Sequence, residues 1–439
     1  RRTCHCERFL RSNLLKTAQP VPSGARNPVA RGCWFASSLR SSQPLTLLAV
    51  TRLLPRAELL QKITIYLLVS LFCLYASGKT FAAFEKIKLK QQGSLKNESA
   101  YRISHPRVFS KIKNQLILSE SAKLSEKLNF KITGRFYYDL VYTLARNFSK
   151  NAASDQKEEL ELRDTYFDYS DGPFDLRLGK QQIVWGEAVG LFFADVVNAK
   201  DLREFILPDF DLIRIPQWGL DAEYAKEKFH AEFIWLPILE FNKIGVSGAE
   251  FEFPYPVPEG VTFTTQDPAV PKNSLSNSET GFRLGYLFNG WDISTFYLYS
   301  WEKFPVNYRG ISALRYNFNP QYKRLHIGGF TFAREINNII YKGEFVLTPK
   351  GYFSIFDDND SDGIIRKDFG DYLLGMDFTL FGKIDNNIQF MQRVIFAYDK
   401  RLVNETRTRN SISYRIHQGF LDNKLEAEFL LIAGLMEKD

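Results

Sequence analysis

The chain has 439 residues, of which 45% are hydrophobic and 24% charged, a balance that excludes both a disordered chain and a bundle of membrane helices. The formal net charge of +7 would suit a nucleic-acid binder, but residues 1–82 hold 12 Lys/Arg against 2 Asp/Glu, leaving 45 against 48 in the remainder. All four cysteines (Cys4, Cys6, Cys33, Cys73) also lie in that basic leader, so residues 83–439 have no thiol for a disulfide, a zinc site or a nucleophile.

Within the leader, Lys62 precedes an apolar run from Ile63 to Tyr75. At about 13 residues it is too short for a span of roughly 20 but suits the apolar core of a signal peptide. Thr80-Phe81-Ala82 places small residues for cleavage after Ala82, so 61–82 reads as a signal peptide. Residues 1–60 mix Arg, Ser, Pro and Cys without a period and contain no Met; they read as an upstream extension outside the native fold.

From residue 83 onward the sequence is written in period two. Leu128, Phe130, Ile132, Phe136, Tyr138, Leu140, Tyr142 and Leu144 share one face of a strand, and Asn129, Lys131, Thr133, Arg135 and Asp139 the other. Seventeen residues is long for a strand of a soluble sandwich and suits an oblique crossing of a bilayer. The same alternation marks strands over 128–146, 158–170, 173–184, 213–224, 228–238, 280–288 and 291–302. It continues over 322–334, 339–350, 366–381, 387–398, 407–418 and 424–435. Two weaker strands near 85–100 and 108–122 bring the number to fifteen. Asn289-Gly290 is a strong hairpin signal that sets Phe288 opposite Trp291. Connections alternate between short turns and generally longer loops (147–157, 185–212, 239–279, 303–321, 351–365, 399–406), the asymmetry of an outer-membrane barrel.

The expected fold is therefore all-β, a transmembrane antiparallel β-barrel of 16–18 strands when complete, with 83–439 lacking its last strand or strands. A secreted sandwich is the alternative, and it would need a second sheet to cover the apolar faces. Turn assignments place Lys131, Arg135, Asp139, Asp164, Asp168, Arg177, Asp221 and Glu223 on the lumen face, a mixed-sign lining without strong preference for one charge. The loop 185–212 is expected to fold into the lumen, where Trp185, Glu187, Asp195, Asn198, Asp201, Arg203 and Glu204 form a constriction. Asn198 is expected to cap a short helix within 195–206, with Asp201 in its first turn.

The stretch GKQQIVWGEAVGLFFADVVNAKDLREFILPDFDLIRIPQWGLDAEY (179–224) resembles a family of uncharacterised Gram-negative outer-membrane barrels. Its members carry a Gly-Arg/Lys-Gln segment, then Trp-Gly-Glu, Asp-Val-Val-Asn-Pro and Asp-Leu-Arg-Glu; here Ala199 stands where Pro is usual. The resemblance spans about 85–436. It implies a barrel with a transport role, often associated with exporters of hydrophobic compounds, and it supplies no substrate.

Asp358, Asp360, Asp362 and Gly363 have the spacing of a calcium loop, but Phe369 replaces the bidentate Glu, leaving at most weak divalent-cation binding. The five histidines have no metal-ligand spacing. Ser413 and His417 on one strand stand about 13 Å apart, beyond hydrogen-bond reach, so no enzyme is expected. The sequence reads as a bacterial outer-membrane, porin-like channel for small molecules, without cofactor or nucleic acid. Its partners would be outer-membrane lipid, lipopolysaccharide, a solute and an inner-membrane exporter. The alternative is a non-conducting barrel that binds at the surface or partners an exporter.

Overall fold

The computed structural model describes residues 89–435 except 104–106, 146–147, 187–192, 206–207, 253–256, 258–261, 313–314, 358 and 423. The leader and the expected signal peptide lie outside the described residues.

Fifteen strands form one antiparallel sheet. Its first five are β1 (Leu89–Tyr101), β2 (Phe109–Lys123), β3 (Leu128–Asp139), β4 (Glu158–Asp171) and β5 (Phe174–Gln181). After the two-residue strands β6 (Ala199–Lys200) and β7 (Arg214–Ile215), the wall resumes with β8 (Gln217–Lys226) and β9 (Phe229–Leu236). Beyond β10 (Thr262–Thr265) come β11 (Glu279–Phe288) and β12 (Trp291–Trp301), followed by β13 (Val306–Ser312) and β14 (Arg315–Gln321). The last six are β15 (Arg324–Ile336), β16 (Ile339–Ser354), β17 (Ile364–Leu380), β18 (Ile384–Ile395), β19 (Thr408–Phe420) and β20 (Leu425–Gly434).

Wall order follows sequence order, with β6-β7 and the sheet β10-β14-β13 set apart. The fifteen wall strands are the fifteen expected from alternation. The β11–β12 turn pairs Phe288 with Trp291, and Asn289 and Gly290 both take positive φ, as a two-residue type I′ turn requires. Among the described residues β1 and β20 are not paired with each other, so the wall is an open sheet.

One face of this wall is apolar and uncovered. Leu160 (67% exposed), Leu178 (58%), Phe330 (44%), Leu374 (52%) and Phe429 (56%) all lie on it. A patch running across the strands in this way far exceeds what a soluble monomer shows, and it has the character of a lipid-facing surface. Among the described residues no second sheet covers it.

The other face is polar and largely buried beneath chain. Arg135, Asp221, Glu344, Gln389 and Arg393 are all nearly inaccessible. Over Arg135 and Glu344 lie the described parts of an inner segment, 181–215, joined by 239–252. Asp209 of this segment bonds Lys96 on β1 at 3.3 Å, while Phe193 and Phe205 pack with Ile432 on β20. Both ends of the sheet therefore approach one piece of chain, and the wall curves around it.

Several local expectations fail for identifiable reasons. β3 stops at Asp139, whose carboxylate accepts from the amides of Val141 (3.0 Å) and Ile112 (2.8 Å), and helix α1 (Val141–Leu144) follows. Tyr142 and Leu144 thus leave the strand. The β4–β5 turn is Gly172-Pro173, one residue later than expected, with Asp171 opposite Phe174; the outward face is unchanged. The helix expected within 195–206 is absent among the described residues, where β6 and a turn stand instead. Loops 239–279 and 303–321 contribute the unexpected sheet β10-β14-β13, whose first pair is parallel.

A charge placed in the middle of the apolar face tests its environment. Phe330→Arg should cost about 2–4 kcal/mol if that face meets lipid near mid-membrane, read from urea unfolding in liposomes. Unchanged stability would contradict a lipid-facing wall.

Candidate functional site

The inner segment is anchored at successive points. Asn198 does not cap a helix because its carboxamide is spent elsewhere: it accepts from the amide of Ile183 (3.2 Å) and donates to the carbonyl of Ile183 (2.6 Å). This exchange pins the two arms of the segment together. Trp185 is fully buried, and its indole donates to Glu232 on β9 at 2.8 Å. Its ring lies against Phe296 and over Gly281, where an added Cβ would stand 2.7 Å from the indole edge. Gly281 is thus the niche that admits Trp185. The amides of Phe193 and Ala194 both donate to one oxygen of Glu344 on β16, at 2.7 and 2.8 Å. Asp195 accepts from Arg214 at 2.9 Å with its side chain wholly buried. Glu187 lies outside the described residues.

Beyond these anchors the segment meets the β2–β4 wall through charge. Arg203 donates to both oxygens of Asp201 (2.9 and 2.7 Å), to Glu159 on β4 (2.6 Å) and to the carbonyl of Asp155 (2.8 Å). Asp155 lies in the last turn of helix α2 (Lys150–Gln156), just before β4. Glu204 pairs with Lys113 at 2.5 Å and also with Lys111, which reaches Glu98 on β1 at 2.7 Å. Arg135 pairs with Glu161 at 2.7 Å, and Arg163 donates to the carbonyls of Asp211 and Arg214. Arg163 thereby holds helix α3 (Phe210–Ile213), the helix the segment does form.

Burial alone would raise the Asp201 carboxyl, but the hydrogen bonds and charge of Arg203, helped by Lys243 and Arg135, hold it down at about 2. Burial likewise opposes ionisation of Glu204, and Lys113 and Lys111 outweigh it, holding that carboxyl below the usual range. Both residues are therefore charged at neutral pH, and the network is ionic.

The opposite side of the segment is apolar. Ile183, Trp185, Ala194 and Val197 pack on Ile234, Leu236, Phe296, Leu298 and Val346, and Phe205 packs toward Leu373, Met391 and Ile432. Phe205 holds φ +60, a conformation that costs a non-glycine residue of order 1 kcal/mol or more. It lies directly after Glu204, so adjacent side chains address opposite walls.

The expected lumen residues do fall on the inner face, but paired. Lys131 stands 3.9 Å from Asp164, Arg177 3.7 Å from Asp168, and Glu223 3.1 Å from His230. Asp139 is a backbone cap and Asp221 is buried. Expected constriction residues Trp185, Asp195 and Asn198 prove to be anchors; Asp201, Arg203 and Glu204 alone face the charged wall. Lys111, Lys113, Glu159, Glu161, Arg163 and Glu344 escaped the sequence reading. A phase change between Leu162 and Asp164 was their one visible signal on β4: the β3–β4 register shifts there, turning Glu159, Glu161 and Arg163 inward.

Little room remains beside the network. A space of about 20 Å³ lies among Lys113, Arg135, Tyr137 and Arg203, and one of about 40 Å³ among Lys111, Asp139, Tyr142 and Glu250. Each holds roughly one water or a few. At the short-turn end the inner face opens into about 350 Å³ lined by Glu335, Asp377, Asp385, Asn387 and Arg415.

The expected calcium loop is closed on itself. Asp360 accepts from the amides of Asp362 (3.1 Å) and Gly363 (2.6 Å), and Asp362 from that of Ile364 (3.0 Å). Arg309 covers the turn and donates to the carbonyls of Ile355 and Asp357. Asp358 lies outside the described residues; among those described, no three His, Cys, Asp or Glu are placed to hold a metal.

The model of a family described as a protein of unknown function, DUF1302, matches residues 107–419. No curated protein matches the chain. Among solved structures, a Salmonella typhi OmpF complex with daunomycin is 8% identical, with 79% of this chain and 98% of that one covered and a TM-score of 0.43. The Vibrio cholerae outer membrane protein OmpT is 10% identical over 79% and 89%, with a TM-score of 0.45. An anion-selective porin from Comamonas acidovorans is 10% identical over 76% and 85%, with a TM-score of 0.38.

Removing the central guanidinium tests the network. Arg203→Ala should cost about 3 kcal/mol or more, because Asp201 and Glu159 stay buried with fewer partners. A depressed carboxyl contributes stability above its ordinary pKa of about 3.9, and that stability is lost as pH falls toward its folded value. Acid release of the segment in the intact protein should therefore fall between about pH 4 and 2. In Arg203→Ala it should begin at higher pH, as read by hydrogen exchange of 193–205. An identical acid profile in the variant would show that Arg203 does not set it.

Proposed function

The chain belongs to the DUF1302 family, and we propose that it is a bacterial outer-membrane, porin-like barrel that passes small molecules along its inner face. The supporting observation is the inner segment, held across the cross-section by Arg203 and Glu204 on one wall and Trp185 and Phe205 on the other. A piece of chain so placed sets how wide the path is, as constricting loops do in pores. The path needs neither ATP nor a redox group; solute moves by diffusion, entering from the long-loop side or from the 350 Å³ space at the short-turn end.

A second reading is favoured by the small spaces beside the ionic network. In it the segment is a plug, and the barrel conducts only when a partner such as an inner-membrane exporter displaces it. The two readings differ in the resting state alone.

Reconstitution of the full-length protein in planar bilayers tests both. The open-path reading expects steady single-channel currents from the unmodified protein. The plug reading expects silence that gives way to conductance once 185–212 is deleted. Silence from both proteins, with insertion verified, defeats the channel function altogether.

A further inference from the structure

Arginines on the inner face have carboxylate partners: Arg135 with Glu161, Arg203 with Asp201, Arg393 with Asp371, Arg415 with Glu428. Two arginines at the long-loop rim of the apolar face do not. Arg324 begins β15 opposite Trp301 and lies over two rings, 4.3 Å from that of Trp301 and 4.7 Å from that of Tyr299. Its terminal nitrogens donate to the carbonyls of Ser278 (3.0 Å) and Ser276 (3.1 Å). Arg366 on β17 is exposed, pairs across strands with Tyr352 and lies 4.9 Å from its ring. Among the described residues neither guanidinium forms an ion pair; Glu279 acts on Arg324 from farther off, and the Nε of Arg366 donates to the carbonyl of Lys350 at 3.2 Å.

The two strands carrying them are separated by one, so the guanidinium groups rise from backbones roughly 10 Å apart. Exposed Lys350 lies between them on β16, its backbone amide donating to Asp368 at 2.7 Å. Aromatic rings hold the arginine stems at the boundary between apolar wall and polar loops, where such side chains extend toward headgroups. A guanidinium fixed on a ring and without a carboxylate in ion-pair contact keeps N–H donors for contact with phosphate.

We propose that Arg324 and Arg366 bind the phosphate groups of lipopolysaccharide in the leaflet that the long loops face. The inference rests on the outer-membrane placement and not on conductance. Arg334 supplies an internal control: it lies 5.1 Å from the ring of Trp291 at the opposite, short-turn rim of the same apolar face.

The test uses the full-length protein in detergent, its outer-membrane placement first checked by fractionation, so that failure of that placement is seen separately. Deep-rough lipopolysaccharide, the same molecule stripped of phosphate, and phosphatidylglycerol are each titrated and followed by native mass spectrometry. The intact protein should retain phosphorylated lipopolysaccharide, and the Arg324→Ala/Arg366→Ala double variant should bind it at least tenfold more weakly. Arg334→Ala should bind as the intact protein does. Each single variant should lose part of the affinity, which keeps the test decisive if the double variant misfolds. Equal binding by the variants and the intact protein would overturn the proposal, as would equal binding of the dephosphorylated molecule or of phosphatidylglycerol.

Discussion

Backbone amides and carbonyls in hydrocarbon have no water to fall back on, so each must be paired within the protein. A meander of antiparallel strands satisfies that demand with short connections, and the fifteen-strand wall follows it without a crossover. Once the strands are laid down, period two decides the rest. One set of side chains must be oily because lipid touches it, and the alternate set is free to carry charge. The outer face is thereby nearly fixed in chemistry, and what distinguishes this protein is written on the inner face.

There many of the charges are paired across strands or with the inner segment, and the pairing has a structural consequence. The inner segment has one ionic side and one apolar side, and it is fixed because two walls of different chemistry hold it. Glu204 and Phe205 show this most directly, since consecutive residues reach β2 and the β17–β20 region. The positive φ of Phe205 is the local cost of turning both side chains outward from one turn. Buried ion pairs contribute little net stability compared with apolar packing, because desolvation offsets attraction. Their effect here is positional: an ion pair specifies where the segment sits, while the contacts of Trp185 and Phe205 supply the burial.

The wall was legible in the sequence because lipid imposes a long-range rule on every strand independently. Alternation over Leu128–Tyr138 and the Asn289-Gly290 turn needed no knowledge of partners. The inner segment was legible only as a candidate. Asn198 carries a good local capping signal, yet its carboxamide is used by Ile183, fifteen residues earlier, and no helix forms. Glu344 could not be found at all, since the amides it receives lie about 150 residues away in sequence. The register shift in β4 was partly visible: Arg163-Asp164 puts two polar residues in succession, and such a break in alternation is how a bulge is written. Strand periodicity reports the environment of a face; it does not report which groups meet across an enclosed space.

That distinction bears on how the segment would move. If it swung away from β2–β4, Arg203 and Glu204 would leave, and Glu159, Lys111 and Lys113 would remain on the wall. Positive and negative groups would be exposed together on both surfaces, so opening changes solvent access far more than net charge. Coulomb attraction between the separated surfaces weakens as water enters, since the same pair interacts several-fold less strongly in bulk water than near protein. Salt screens the wetted charges and scarcely reaches the buried pairs. Ionic strength therefore acts mainly on the open arrangement, lowering its tendency to reclose, while the closed arrangement is governed by the fit of Trp185 over Gly281 and of Phe205 against the far wall. A segment locked in this way responds to what loosens its apolar contacts first and to electrolyte second.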